Sequence, residues 1–158
     1  MKTDNGEIKL IEFNCRFGDP EAMNVLSILE TDFIKICHGI ISEKLDQVDV
    51  RFKNKATVCK YAVPEGYPNE PIKGAEINLS KIKNQESLFY ASVDVRNGVL
   101  VEAGSRTIAV IGIDNTIKGA EKIAEKEISK IEGPLFHRKD IGTSSLIQKR
   151  IEHMDSLR

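Results

Sequence analysis

The sequence predicts an α+β protein in which one strand and two linking helices precede a small, mostly antiparallel sheet packed with helices. The hydrophobic period carries this prediction, because it changes from helical to strand-like near residue 55 and returns to helical after residue 114. Strands and helices are grouped along the chain and do not alternate, which is typical of α+β folds and not of βαβ repeats. The 158 residues, 41% of them hydrophobic, are enough for a compact core.

Residues 8–17 are predicted to form the first strand, with one face buried. Apolar and polar side chains alternate, with Ile11, Phe13, Cys15 and Phe17 on one face and Glu12, Asn14 and Arg16 on the other. Turn-forming residues precede this strand at positions 4–6, but Met1–Thr3 is too short to be its hairpin partner. We therefore expect the chain to begin inside a hairpin and to be a piece of something larger.

Two helices are predicted to follow the strand. Asp19 is a good N-cap and Pro20 suits the first helical position, so a short helix should run to about Leu29. Thr31 or Asp32 can cap a second helix, because the apolar residues after them recur at intervals of three and four.

The rest of the chain is predicted to form strands, then two helices. Ala56–Val63 should be a strand that ends at a proline-rich turn, residues 64–71. Further short strands are predicted at Ala75–Leu79, Leu88–Arg96, Val99–Glu102 and Arg106–Ile113. The first of these helices should be capped by residues 114–116 and carry an apolar stripe as far as Ile131, and the last should cover Ser144–Met154.

Charge, hydropathy and cysteine usage exclude several classes of protein. A net charge of −1 argues against a dedicated nucleic-acid binder or a polybasic membrane module. No apolar run approaches the ~18 residues of a membrane span, and the first residues lack the apolar core of a secretory signal. The three cysteines form neither a disulfide framework nor a zinc site. We therefore expect a cytoplasmic protein with no nucleic-acid or membrane partner.

The cysteines and histidines have plain interpretations. The cysteines lie among apolar residues and are predicted to be inert thiols of the core. His38 and His153 lack a nearby ligand partner and are predicted to be surface residues. His137 is predicted to lie in a solvated basic turn, the alternative being a position at an interface.

Glu12-x-Asn14-x-Arg16 is the strongest candidate site. Alternate residues of a strand share one face, with Cα atoms ~6.6–7 Å apart. A carboxylate and an amide oxygen are ligands suited to Mg²⁺ or Mn²⁺, and proteins commonly hold Mg²⁺ with one or two such groups plus phosphates and water. The arginine can stabilise charge on a transferring phosphoryl group or an acyl phosphate. Alternation alone, however, favours a simpler interpretation, the exposed polar face of an edge strand.

The sequence around this site resembles the signature of a known enzyme family. Residues 12–21, E-F-N-C-R-F-G-D-P-E, closely resemble the E-F-N-x-R-[FL]-G-D-P-E signature of the phosphoribosylamine–glycine ligases, a family of ATP-grasp enzymes. The resemblance continues in family order over almost the whole chain, at Gly66-Tyr67-Pro68, Gly104-Ser105-Arg106, Val110-Ile111-Gly112 and Arg138-Lys139-Asp140-Ile141-Gly142. The chain departs from the family at residues 22–24, where Thr, Glu or Gln is usual, and at Ser105, where the family usually has glycine.

The resemblance implies a reaction and a set of metal and catalytic residues. Such enzymes join 5-phosphoribosylamine to glycine with ATP, through glycyl phosphate, and release ADP and phosphate in de novo purine synthesis. Glu12 and Asn14 match the ligands of the Mg²⁺ or Mn²⁺ ion that bridges the ATP phosphates. Arg16 matches the residue expected to stabilise acyl-phosphate transfer.

The resemblance also implies substrate contacts. Asp19 and Glu21 match the loop nearest the amine and glycine, although Asp19 is equally interpretable as a helix N-cap. Gly104, Ser105 and Arg106 match a segment that holds the ribose phosphate, although Arg106 is equally interpretable as an exposed charge at a strand end.

Much of such an enzyme is missing from this sequence, which contains no glycine-rich phosphate loop and no lysine in a matching context. We therefore expect residues 1–54 to be the C-terminal end of an ATP-grasp domain with linking helices, and residues 55–158 to be a C-terminal α+β domain. The missing N-terminal and ATP-grasp segments would be its partners, and the chain alone would be inactive. The alternative is a non-catalytic module that binds a phosphoribosyl ligand or a separate ATP-grasp subunit.

Overall fold

The computed structural model describes residues 1–157 and has the α+β architecture that the sequence predicts. Four α-helices and six strands occur in these residues. The helices are α1 (Glu21–Leu26), α2 (Phe33–Ile41), α3 (Ile117–Ile128) and α4 (Ser144–Ser156). The strands are β1 (Ala56–Pro64), β2 (Leu88–Tyr90), β3 (Val93–Arg96), β4 (Val99–Glu102), β5 (Ile108–Asp114) and β6 (Leu135–His137). No helix among residues 1–157 is long and apolar enough to cross a membrane.

The main sheet has four strands in the order β2-β5-β1-β6, and every neighbouring pair is antiparallel. Its longest pairing joins β1 to β5, from Ala56 opposite Asp114 to Ala62 opposite Ile108. β3 and β4 form a separate hairpin around Asn97 and Gly98, both of which have positive φ. The predicted mostly antiparallel sheet is confirmed.

The two faces of β1 have different surroundings, because successive side chains of a strand point to opposite sides. Val58 packs with the small side chains of α3, which covers this face of the sheet. Gly112 of β5 lets α3 approach closely, since a Cβ there would lie 1.9 Å from the carbonyl oxygen of Ala120. Cys59 packs on the opposite face, where Met23 of α1 covers part of the sheet. At Tyr61 and Val63 the second face lies beneath a cavity, and it is called the open face of the sheet below.

A lysine is fully buried between β1 and α3. The Nζ of Lys60 donates to Glu121 Oε1 at 2.8 Å, to Glu125 Oε2 at 2.6 Å and to the carbonyl oxygen of Lys139 at 3.0 Å. His137 is half-buried on β6, with Nε2 3.1 Å from Glu125 Oε1. The prediction that His137 lies in a solvated turn is therefore wrong, because the strand β6 was not foreseen.

Residues 8–17 do not form the predicted strand. Their single ladder contact is an isolated bridge between Lys2 and Ile8, and the side chains of Ile11 and Phe13 are 71% and 80% exposed. The physical reason is that no other strand of the described residues lies beside this segment. Cys15 is exposed as well, so the prediction of a core thiol fails there, whereas Cys59 is buried and burial raises its pKa to about 12.

Other predicted boundaries shift. The predicted strand 88–96 is two strands, because β2 pairs with β5 whereas β3 pairs with β4. Residues 75–79 make only isolated bridges. Helix α1 ends at Leu26, earlier than predicted. Asp32 caps α2 by accepting from the backbone of Ile34 at 2.8 Å, and Thr116 caps α3.

Candidate functional site

The candidate site lies on the open face of the sheet, where the loop before α1 crosses β1. Three adjoining cavities meet there, and all of them are lined by Asp19 and Arg106. Asp19 comes from the loop that follows the E-F-N-C-R-F word, and Arg106 from the turn that leads into β5. Two segments far apart in sequence thus form one site.

The first cavity, of about 680 Å³, is lined mostly by residues of the E-F-N-C-R-F-G-D-P-E motif, residues 12–21. It is lined by Asn14, Arg16, Gly18, Asp19, Glu21 and Arg106. Five predicted site residues therefore meet around one space. Its lining carries two guanidinium groups and two carboxylates, which is suited to polar, charged substrates.

Glu12 stands beside this cavity without lining it. Its Oε1 accepts a hydrogen bond from Asn14 Nδ2 at 3.0 Å, and both side chains are exposed. No group of three or more His, Cys, Asp or Glu side chains within residues 1–157 is placed to hold a metal ion. The carboxylate and the amide nevertheless fit Mg²⁺, which proteins commonly bind through one or two side chains while phosphates and water complete its shell.

The second cavity, of about 500 Å³, contains one residue of the predicted Gly104-Ser105-Arg106 segment besides the shared Arg106. Its lining is Asp19, Tyr67, Ala91, Ser92, Ser105 and Arg106. Gly104 does not line it. Gly104 instead shapes the turn, because its φ of +90° favours glycine and a Cβ there would lie 2.6 Å from Lys73 Cε.

The third cavity, of about 510 Å³, is mostly apolar. It lies over β1 and β6 and is lined by Asp19, Pro20, Cys59, Tyr61, Val63, Tyr67, Pro68, Arg106, Phe136, Arg138 and Ile141. Arg138 is held by Asp140 through two hydrogen bonds, of 3.0 and 2.6 Å, and this carboxylate raises the pKa of Arg138. The guanidinium thus has a fixed partner beside the cavity.

Asp19 is tied to the sheet and does not cap α1. The N-cap position belongs to Pro20, with no side-chain cap, so that interpretation of Asp19 is wrong. The hydroxyl of Tyr61 donates to Asp19 Oδ1 at 2.8 Å. Arg106 Nη1 donates to the Asp19 carbonyl oxygen at 2.9 Å and lies 3.3 Å from Oδ2.

Arg106 is anchored on several sides. Its guanidinium carbon lies 5.8 Å from the centre of the Tyr61 ring, within range of a cation–π interaction. A hydrogen bond with Tyr67 and then the charge of Asp19 raise the pKa of Arg106. Arg106 is therefore not a free charge at a strand end.

The sequence comparison identifies the family. Residues 57–144 match the family described as "Phosphoribosylglycinamide synthetase, C domain". The chain belongs to this family. The phosphoribosylamine–glycine ligase of Methanocaldococcus jannaschii is 52% identical over an alignment of 161 residues, which covers 100% of this chain and 36% of that protein. The enzyme of the same name from Methanococcus vannielii is 54% identical over 99% of this chain and 36% of its own length.

A structural relative agrees with this assignment. The crystal structure of phosphoribosylamine–glycine ligase from Thermotoga maritima has 26% sequence identity and a TM-score of 0.65, covering 89% of this chain and 35% of that one. The chain thus spans about a third of the length of the ligases it matches. The fold class and the family resemblance that the sequence predicts are confirmed.

Sequence reasoning missed three side chains of this phosphoribosylglycinamide synthetase C domain. Tyr61, Tyr67 and Arg138 all line the third cavity. Tyr67 and Arg138 stand in stretches that already resemble the family, so their position in those words was the available signal. Tyr61 lies in none of these stretches. The available signal was its position in the predicted strand, where every second side chain points to the same face, so that Tyr61 lies on the face opposite α3.

Proposed function

We propose that this chain is the C-terminal part of a phosphoribosylamine–glycine ligase. In this reaction ATP phosphorylates the glycine carboxylate to give glycyl phosphate and ADP. The amine of 5-phosphoribosylamine then attacks the acyl carbon, forming the amide of glycinamide ribonucleotide and releasing phosphate. The observation that carries the proposal is the meeting of Asn14, Arg16, Asp19, Glu21 and Arg106 around one cavity.

Glu12 and Asn14 would supply the metal ligands of this chain. Their hydrogen bond of 3.0 Å places a carboxylate and an amide side by side at the edge of the first cavity. Together they would hold a Mg²⁺ or Mn²⁺ ion whose remaining ligands come from the ATP phosphates and water. Such an ion neutralises charge on the phosphates when bound.

Arg16 would act on the acyl phosphate. It lines the same cavity as Asn14, which is two residues away in the sequence. Its Nη1 donates to the carbonyl oxygen of Phe17 at 2.9 Å, which leaves other N–H groups of the planar fork to contact phosphoryl oxygens. Those donors would stabilise the charge that develops during phosphoryl transfer and amide formation.

Asp19, Glu21 and the 104–106 turn would contact the other substrates. Asp19 and Glu21 place two carboxylates in the first cavity, where they can bind the ammonium of glycine or the amine of phosphoribosylamine. Ser105 and Arg106 face the second cavity, where a hydroxyl and a guanidinium suit a ribose phosphate. Gly104 would act through the shape of its turn.

The remaining parts of the site would come from outside this chain. The chain spans about a third of its relatives. The adenine site, the phosphate-binding lysines and the N-terminal domain would lie in the other two thirds. Residues 1–54 would then end the ATP-grasp domain and residues 55–158 form the C-terminal domain. We expect the isolated chain to be inactive and the complete enzyme to work in the cytoplasm.

A chimera tests this proposal. Residues 1–158 replace the matched third of the Methanocaldococcus jannaschii ligase, and ADP release is measured with and without glycine and phosphoribosylamine. We expect substrate-dependent ADP release from the chimera and none from the isolated chain. Glu12→Gln should lower kcat by on the order of 10²-fold or more, because a bound metal supplies several kcal/mol of charge stabilisation.

Glu7→Gln is the matched control, because Glu7 is exposed, pairs with Lys9 and lines none of the three cavities. Equal activity of the Glu12→Gln and Glu7→Gln chimeras would contradict the metal assignment. A folded but inactive chimera, beside an active parent ligase, would favour the non-catalytic module.

A further inference from the structure

Tyr61 is the one side chain of β1 that bonds directly to the loop carrying the predicted site residues. It is half-buried on the open face of the sheet, and its hydroxyl donates to Asp19 Oδ1 at 2.8 Å. Burial and this hydrogen bond to a carboxylate raise the pKa of the phenol, so the hydroxyl keeps its proton at neutral pH. A protonated phenol is a permanent donor and not a base.

Arg106 completes a closed triad with these two residues. It contacts the Asp19 carbonyl oxygen at 2.9 Å and Oδ2 at 3.3 Å, while its guanidinium carbon lies 5.8 Å from the Tyr61 ring centre. Each oxygen of the Asp19 carboxylate therefore has its own partner, Tyr61 on one and Arg106 on the other. A carboxylate held at both oxygens has a fixed rotation about its Cβ–Cγ bond.

The fixed rotation matters because Asp19 lines all three cavities. Without the Tyr61 hydroxyl, Oδ1 would lose its donor, and the carboxylate could turn to pair with Arg106 through both oxygens. This rotation would remove the Asp19 carboxylate from the first cavity. It would also occupy N–H donors of Arg106 that face the second cavity. The Tyr61 hydroxyl would thus determine how Asp19 and Arg106 are presented to substrates in the first and second cavities.

We propose that Tyr61 is a positioning residue of the ligase site, which orients Asp19 for the amine-bearing substrates without touching them. The proposal rests on the function proposed above, because it takes Asp19 as a contact of glycine or phosphoribosylamine. It assigns a role to a residue that lies outside every family-like stretch of the sequence.

Tyr61→Phe in the chimera is the direct test, because it deletes the hydroxyl and keeps the ring beneath Arg106. We expect the KM for glycine or for phosphoribosylamine to rise by on the order of 10-fold, the scale of one hydrogen bond to a charged group. The KM for ATP and the midpoint of thermal unfolding should not change. Tyr90→Phe is the control, because Tyr90 is exposed on β2 and lines none of the three cavities.

Two kinetic outcomes would overturn the positioning role. In the first, Tyr61→Phe and Tyr90→Phe have the same kinetics. In the second, Tyr61→Phe lowers the unfolding midpoint and shifts the KM of all three substrates equally, which is the mark of general damage. Either outcome would leave the proposed ligase function intact, since the chimera itself would be active.

A second measurement uses the isolated chain and needs no activity. The ¹³C NMR shift of the Cζ ring carbon of the three tyrosines is recorded at pH 7 in the unchanged chain and in Asp19→Asn, and the Tyr61 signal is assigned by its loss in Tyr61→Phe. We expect the Tyr61 shift to change in Asp19→Asn, because the hydroxyl no longer donates to a carboxylate, while the shift of the exposed Tyr90 stays the same. Equal Tyr61 shifts in the two chains would show that Tyr61 and Asp19 are not bonded in solution and would overturn the proposal even if the chimera is inactive.

Discussion

Residues 8–17 and strand β1 have similar lengths and both are predicted to be strands from the sequence, yet only β1 is a strand. β1 lies between β5 and β6, so both of its edges are hydrogen-bonded, and its side chains are covered by α3 on one face. Residues 8–17 have no such neighbours, and their apolar side chains are exposed. The comparison teaches that alternation predicts which residues can share a face, whereas the neighbouring strands decide whether a strand forms.

The same comparison separates two kinds of residue in the candidate site. Tyr61 and Arg106 belong to the sheet region and hold defined hydrogen-bond and ring contacts. Glu12 and Asn14 belong to the exposed segment and contact only each other among the described hydrogen bonds. We therefore expect variants of the fully buried sheet residues to change the stability of this chain. Variants in residues 8–17 should change only its function in the complete ligase.

The largest effect is expected from Lys60→Met. Lys60 is fully buried and balances Glu121 and Glu125, so its loss removes the cation beside Glu121 and leaves Glu125 with His137 alone. Removing one partner of a buried ion pair costs roughly 3–5 kcal/mol of unfolding free energy. Lys55→Met should stay within about 0.5 kcal/mol, because Lys55 is exposed. Urea unfolding of both variants measures the difference, and equal midpoints would contradict the buried pairing.

The pH dependence of the same variant sharpens this prediction. Burial alone raises the pKa of Glu125, but hydrogen bonds from Lys60 and His137 outweigh it and hold that pKa below its ordinary value of 4.5. A carboxyl with a lowered folded pKa stabilises the fold above its unfolded pKa and loses that contribution as pH falls through the folded pKa. The gap in unfolding free energy between the unchanged chain and Lys60→Met should therefore be widest near pH 7 and narrow below pH 4.5. A gap that widens in acid would contradict this.

A smaller effect is expected from one matched pair of core and segment substitutions. Ile108→Val removes a methylene from a side chain that is 0% exposed and should cost about 0.5–1.5 kcal/mol of unfolding free energy. Ile11→Val makes the same chemical change in a side chain that is 71% exposed and should stay within about 0.5 kcal/mol. Thermal or urea unfolding of the isolated chain checks both. An equal loss in the two variants would mean that residues 8–17 are packed in solution.

The fold was largely predictable where local signals and tertiary contacts agree. The caps at Asp32 and Thr116 were predictable from their side chains, and the strand Val99–Glu102 from its β-branched residues after the Asn97-Gly98 turn. Strand β6 could not be predicted, because three residues are too few for a period and the strand exists through its pairing with β1. The strand predicted at residues 8–17 is wrong for the opposite reason. Its alternation is clear, but no neighbouring strand of the described residues pairs with it.

The candidate site was predictable as a set of residue types but not as a set of contacts. The E-F-N-C-R-F-G-D-P-E word places Asn14, Arg16, Asp19 and Glu21 in one stretch, and the structure brings them to one cavity. Asp19 was ambiguous, because a capping aspartate and a substrate-binding aspartate have the same sequence signature before a helix. Its bond to Tyr61 joins positions 42 residues apart, which no local pattern encodes.

Amide hydrogen exchange of residues 8–17 tests whether the rest of a phosphoribosylamine–glycine ligase completes this segment and its site. Exchange is followed in the isolated chain and in the chimera, with the amides of β1 as the internal reference. We expect fast exchange of residues 8–17 in the isolated chain and slow exchange in the chimera, while β1 is protected in both. Fast exchange of residues 8–17 in the chimera, or protection equal to that of β1 in the isolated chain, would contradict it.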